Sequence, residues 1–189
     1  MKETLRDEVL GDVTICCTRR SRRISLSVKP SGEVRLSFPP YASRARALEF
    51  LHSRREWILA SKDKFARRAS DGKSAAHILP AEIEQLRAAA KSTLPHRVAE
   101  LATQHGLKYG KVSIRASRSK WGSCSAIGNI SLSLYLMILP EHLRDYVILH
   151  ELAHTIHHNH SPRFHALVNN LTCGQEKTLA RELKEYSTR

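Results

Sequence analysis

No stretch of this chain approaches the roughly 18 consecutive apolar residues that a membrane span needs, and the segment from Met1 to Gly11 is charged, without an apolar h-region. Both absences point to a soluble, cytoplasmic protein with no membrane partner. Cysteine is scarce as well. Cys16, Cys17, Cys124 and Cys173 contain no CxxC pair, and the adjacent Cys16 and Cys17 would close a strained disulfide, so a reducing compartment fits best. Acidic residues are outnumbered, 18 against 31 Lys and Arg, which leaves a formal charge of +13. That balance favours a nucleic acid or another acidic partner, although a solvated cationic face produces the same composition. There are no internal repeats. At 189 residues the chain is long enough for one domain, or one with a smaller lobe, around a substantial core.

Apolar and polar residues alternate through Val13 and Ile15, through Ile24, Leu26 and Val28, and through Val34, Leu36 and Phe38 after a Lys29-Pro30-Ser31-Gly32 turn. This predicts a meander of antiparallel strands over residues 12–40. Arg19, Arg20, Arg22 and Arg23 fall between the first two strands, where they could clamp a phosphate or carboxylate or simply solvate a turn. Ser43 caps a helix expected to run toward Arg68, with Leu48, Leu51, Ile58 and Leu59 inside and a stripe of arginines and lysines outside. Few aromatics accompany that stripe, and Trp57 and Phe65 read as core residues rather than base-stacking platforms. Residues 71–80, small and polar until Ile78, read as a linker between a lobe over 1–70 and a core over 81–189.

A helical pattern follows through Ile83, Leu86, Ala90, Leu94, Val98 and Leu101, with Pro95 kinking it or starting a second segment. His105-Gly106 closes it. Val112 to Ala116 and Asn129 to Leu134 alternate as strands, separated by SRSKWGSCS and a Gly128-Asn129 turn. Cys124 in that segment reads as structural.

The centre of the chain is YVILHELAHTIHHNHSPRF, residues 146–164. In its HExxH pattern, His150 and His154 are four apart and share one helix face, so both imidazoles can reach a single ion, with Glu151 beside the bound water as general base. The surrounding residues are apolar nearly all round, as in a buried helix, whose polar groups a metal would satisfy in one step. A catalytic zinc takes three protein ligands and keeps a fourth position open. Ser161-Pro162 looks like an N-cap and first position of a new helix, which puts His160 at a bend from which it can swing back. His160 is therefore the preferred third ligand and His157 the alternative.

Three segments in order, RRSRRISLSVKPSGEVRLSFPP, SKWGSCSAIGNISL and YVILHELAHTIHHNHSPRF, resemble the YgjP-like zinc metallopeptidases, relatives of the SprT-like and WLM zincins. The resemblance runs from about Val13 to the last helix. It implies an α+β fold: a zincin-like core of helices, small sheet and HExxH helix, preceded by an N-terminal antiparallel β lobe and basic helix. It also implies one zinc per chain held by His150, His154 and His160, with Glu151 as the base, since Asn159 to Phe164 matches the family's NHSxxF segment. Three positions depart from the pattern: His165 stands where an aromatic is usual, Thr155 replaces an apolar residue, and Ser131-Leu132-Ser133 replaces an LN-type strand.

The activity implied is peptide hydrolysis on a polypeptide substrate. Trp121, Tyr135, His157 and His165 are candidates for lining the cleft, and the last three for steadying an oxyanion. An edge strand beside the ion would bind an extended peptide through its main chain. A nucleotide or phosphoanhydride hydrolase on the same site, and a nucleic-acid-binding module with a structural zinc, are the alternatives.

Overall fold

A computed structural model of the chain describes residues 2–75 and 78–188. It divides into two units, Met1–Ser70 and Asp71–Arg189. The expected linker over 71–80 is only partly extended chain. The Ala75 N–H donates to the Ser187 carbonyl (2.9 Å) and the Ser187 N–H to that of Lys73 (2.8 Å), while α3 already begins at Pro80. Positions 76 and 77 of the linker lie outside the described residues.

The first unit is built on four strands, β1 (Lys2–Asp7), β2 (Gly11–Cys17), β3 (Ser25–Val28) and β4 (Val34–Phe38), in the order β1-β2-β4-β3. Strand β1 falls in the charged N-terminal segment, where no apolar alternation announces it. A tight turn does join β3 to β4 antiparallel, with Gly32 at φ +82°, a left-handed conformation that favours glycine. However, β2 and β4 pair in parallel, Val13 opposite Val34 and Ile15 opposite Leu36, so the sheet is mixed rather than a purely antiparallel meander. The alternation itself holds: Val13, Ile15, Val34, Leu36 and Phe38 are buried together with Ala47, Leu51 and Ile58 of the helices. The expected single helix is two, α1 (Arg44–Ser53) and α2 (Arg55–Ser70). Ser43 caps α1 by accepting from the Arg46 N–H, and near its end Ser53 Oγ bonds back to the Phe50 carbonyl (3.0 Å), a contact that competes with helix continuation. Trp57 is 49% exposed on α2 rather than in the core.

In the second unit, α3 (Pro80–Gln104) runs unbroken through Pro95. A three-stranded sheet follows, β5 (Val112–Arg115), β6 (Gly122–Cys124) and β7 (Ile130–Ser133), in the order β5-β7-β6. Strand β7 is central, parallel to β5 and antiparallel to β6, which leaves β6 at an edge. A short 3-10 helix (Leu134–Ile138) leads into α4 (Glu141–Ala153), α5 (Pro162–Leu171) and α6 (Glu176–Leu183). Leu94 and Val98 of α3, Ile130 and Leu132 of β7, Leu143, Ile148 and Leu152 of α4 and Val168 of α5 share one core. Arg97 ties α3 to α4 by a two-pronged pair with Asp145, 2.8 and 2.6 Å. Helices and small sheets together give the α+β architecture expected.

Candidate metal centre

Helix α4 carries the site because its apolar residues hold it in the core while the half-buried His150 and His154 face a cleft. Tyr146, Val147, Ile148, Leu149, Leu152 and Ala153 are buried, and so is Glu151, at 6% exposure. His150 and His154, one turn apart, have ring centroids 5.0 Å apart. The helix ends at Ala153, so His157 does not continue the row. Instead the chain turns, and Ser161 caps α5 by accepting from the Phe164 N–H, with Pro162 in its first turn. That start returns His160 to the first two rings, with centroids 5.2 Å from His150 and 4.7 Å from His154. One ligand atom from each of the three residues lies within 4.8 Å of the others.

All three imidazoles rest on Phe164, which is fully buried and stacks on His154 at 4.3 Å, with edge contacts to His150 at 4.9 Å and His160 at 4.8 Å. The His157 backbone carbonyl lies 3.0 Å from His154 Nδ1. A carbonyl only accepts, so Nδ1 carries the hydrogen and Nε2 keeps its lone pair. Burial, and then the neighbouring imidazoles His154, His160 and His165, depress the His150 pKa to about 4. Burial also lowers His154, against a rise from its bond to the His157 carbonyl. Neutral rings are the form that ligates metal.

Glu151 faces the same cleft, about 430 Å³ in volume, whose wall also includes Gly122, Cys124 and His158. Burial raises its pKa to about 7, partly opposed by the charge of Lys120. Its Oε2, like His150 Nδ1, is buried without a hydrogen-bond partner among the described residues. A crowd of imidazole nitrogens, with His150 Nε2 and His160 Nε2 at 3.2 Å, beside a carboxylate oxygen with no donor among the described residues is a donor set that fits a divalent zinc and a water.

Three other residues shape this cleft without having been singled out for it. A Cβ placed on Gly122 would sit 2.7 Å from Glu151 Cγ and Oε1 and 2.8 Å from Cδ, so only glycine lets β6 pass so close to the carboxylate. Phe164 is the floor beneath the imidazoles. Cys124, read as structural, lies on the cleft wall with its thiol pKa raised by burial and by Glu151. Gly122 and Phe164 do sit inside the SKWGSC and NHSxxF segments, which was the only signal available for them.

Trp121, Tyr135, His157 and His165 were expected to line the cleft. Tyr135 is buried at 1% exposure beneath the Arg118 guanidinium, 4.8 Å from its ring. Trp121 packs against the core and offers its carbonyl to the Ser133 N–H. His157 contributes its backbone carbonyl. His165 is held by the buried Glu176, Nδ1 to Oε1 at 2.5 Å, with its ring 6.2 Å from that of His160. None of the four is on the wall shared by the three imidazoles and Glu151.

A family model described as YgjP-like, metallopeptidase domain, matches residues 73–186. No curated protein matches the chain. Among solved structures, the metallopeptidase zymogen of Pyrococcus abyssi abylysin is similar over 50% of this chain and 99% of that one, with 22% identity and a TM-score of 0.40.

Proposed function

The chain belongs to the YgjP-like metallopeptidase family, and from that premise we propose that it is a zinc-dependent peptidase in which His150, His154 and His160 hold one ion and Glu151 is the general base. The observation that carries this reading is the juxtaposition of three imidazoles, with ligand atoms within 4.8 Å, and a buried carboxylate whose Oε2 has no partner among the described residues.

When bound, zinc supplies a Lewis acid that polarises the scissile carbonyl and lowers the pKa of water. Glu151 receives the proton of the attacking water on its unpartnered oxygen and returns it to the leaving amine nitrogen. A carboxyl raised to about 7 by burial is a better base near neutral pH than an ordinary glutamate. Gly122 keeps β6 against that carboxylate, and Phe164 fixes the planes of the three rings.

The substrate is a polypeptide lying along the free edge of β6. The Trp121 carbonyl accepts from the Ser133 N–H, and the Ser125 N–H donates to the Asn129 carbonyl. Since main-chain groups alternate sides along a strand, Gly122 and Cys124 turn theirs away from β7. An extended peptide pairing there would pass beside Glu151.

The test compares the zinc-loaded wild type with Glu151→Gln on a panel of denatured proteins and nucleoside triphosphates. Cleavage of proteins by the wild type alone is the expected result. Equal cleavage by Glu151→Gln would remove the assigned base, and turnover of nucleotides but not proteins would replace the substrate class.

A further inference from the structure

The family match begins at residue 73, yet the unit before it holds most of the charge. Residues 1–70 contain 16 Lys and Arg against 8 Asp and Glu, +8 of the chain's +13. Much of this is neutralised locally: Arg44 pairs with Glu3, Arg55 with Asp7 and Arg67 with Asp63. Arg22 and Arg23, in the loop between β2 and β3, and Arg46 on α1 are different. Their side chains have no hydrogen-bond or ion-pair partner among the described residues, and all three line one open groove of about 610 Å³. Against them the wall carries a single carboxylate, Glu49, so the groove keeps a net positive charge of about two.

Aromatic rings share that groove. Tyr41 is 79% exposed, an unusual cost for a large ring, and its hydroxyl donates to the Arg22 carbonyl at 2.6 Å, which fastens the ring to the arginine loop. Phe50, also on the wall, carries the Arg54 guanidinium 5.6 Å from its ring centroid.

We propose that this groove binds single-stranded nucleic acid, with Arg22, Arg23 and Arg46 on the phosphates and a base stacked on Tyr41. Arginine's planar fork suits phosphate oxygens, and an exposed ring beside a basic track is the pairing by which unpaired strands are held without regard to sequence. A duplex keeps its base faces stacked and has no use for Tyr41. An acidic peptide would engage the arginines but leave the ring unexplained. The proposal does not depend on the metal centre, and its site is the groove rather than the basic stripe of α2.

The experiment is fluorescence anisotropy of labelled oligo(dT) and oligo(U) with the full chain, titrated at several salt concentrations. Either oligonucleotide binding supports the shared chemistry. Tyr41→Ala is expected to weaken binding about tenfold, the worth of one stacked base, whereas Tyr41→Phe, which keeps the ring, retains wild-type affinity. Replacing Arg22, Arg23 and Arg46 together by Ala is expected to flatten the plot of log affinity against log salt by about 2, three phosphate contacts at roughly 0.7 each. The pair Lys64→Ala and Arg67→Ala on α2 is expected to leave most of the binding intact. Thermal melting of each variant separates lost contacts from lost fold, and Tyr41→Phe keeps the stacking claim testable if Tyr41→Ala unfolds. No binding by the wild type, wild-type affinity in the arginine variant, equal losses in Tyr41→Phe and Tyr41→Ala, or tighter binding of a polyglutamate peptide than of either oligonucleotide would each overturn the proposal.

Discussion

Replacing Gly122 by alanine adds one methyl group to the edge strand and tests how closely Glu151 is placed. The new Cβ would meet Glu151 Cγ and Oε1 at 2.7 Å and Cδ at 2.8 Å, whereas carbon atoms rest about 3.5–4.0 Å apart. Either the carboxylate or β6 must therefore give way by about 1 Å. The strand is pinned on either side of Gly122 by the Ser133 N–H to Trp121 carbonyl bond (2.8 Å) and the Ser125 N–H to Asn129 carbonyl bond (2.9 Å), and the carboxylate is the far end of a side chain, so the carboxylate moves. Misplacement of a reacting group by about 1 Å costs on the order of a hundredfold in rate. The expected outcome is a fall in kcat of that order on a denatured protein substrate, with zinc content unchanged and a melting temperature within a few degrees of wild type. The three atoms nearest the added methyl all belong to Glu151, and none to an imidazole. A Gly122→Ala variant with wild-type turnover would refute the close-approach argument, and one that lost its zinc would show that the substitution acts on the ligands instead.

Phe164→Ala removes the fully buried floor beneath the imidazoles and is expected to cost about 3–5 kcal/mol of stability, seen as a lower denaturant midpoint, together with weaker zinc retention against a chelator. Arg97→Ala breaks the pair that joins α3 to α4; the side chains are 34% and 20% exposed, so solvent screening limits the expected loss to about 1–2 kcal/mol, read from chemical unfolding. Asp7 accepts from the Leu10 and Val9 N–H groups and from Arg55, and the first of these bonds contributes most to holding its pKa below the ordinary carboxylate range. A carboxyl depressed in the folded state stabilises fully above its unfolded pKa and loses that contribution as pH falls through the folded one. Acid unfolding of the wild type should therefore be steeper below about pH 4 than that of Asp7→Asn. Chelation of bound zinc should lower the melting temperature, and free zinc at a hundred times its Kd should restore about 2.7 kcal/mol; a melting curve indifferent to zinc would contradict metal binding to the folded chain.

What could be read from the sequence is what depends on near neighbours. The four-residue spacing of His150 and His154 is helix geometry, and the Ser161-Pro162 signal was enough to put His160 at a bend. The structure brings those three rings together because α4 ends at Ala153 and α5 starts where that signal places it. The Lys29 to Gly32 turn and the alternation of Val13 to Phe38 are equally local. Contacts set by distant segments were not legible. Parallel pairing of β2 with β4 is a choice among sheet partners that identical alternation permits. The approach of Gly122 to Glu151 joins residues 29 positions apart, and nothing in a glycine's own neighbourhood says what it makes room for. Tyr135 and His165 were cleft candidates from residue chemistry and from a departure from the family pattern; the Arg118 guanidinium over one and Glu176 beside the other are contacts with distant segments that neither signal contains.

The central claim is that His150, His154 and His160 together hold one zinc, and the most direct measurement of it is metal content by plasma mass spectrometry after dialysis. We expect about one zinc per chain in the wild type and in Glu151→Gln, and a loss of most of it in His160→Ala with the fold retained by circular dichroism. A wild type that keeps no zinc, or a His160→Ala variant that keeps all of it, would contradict the account.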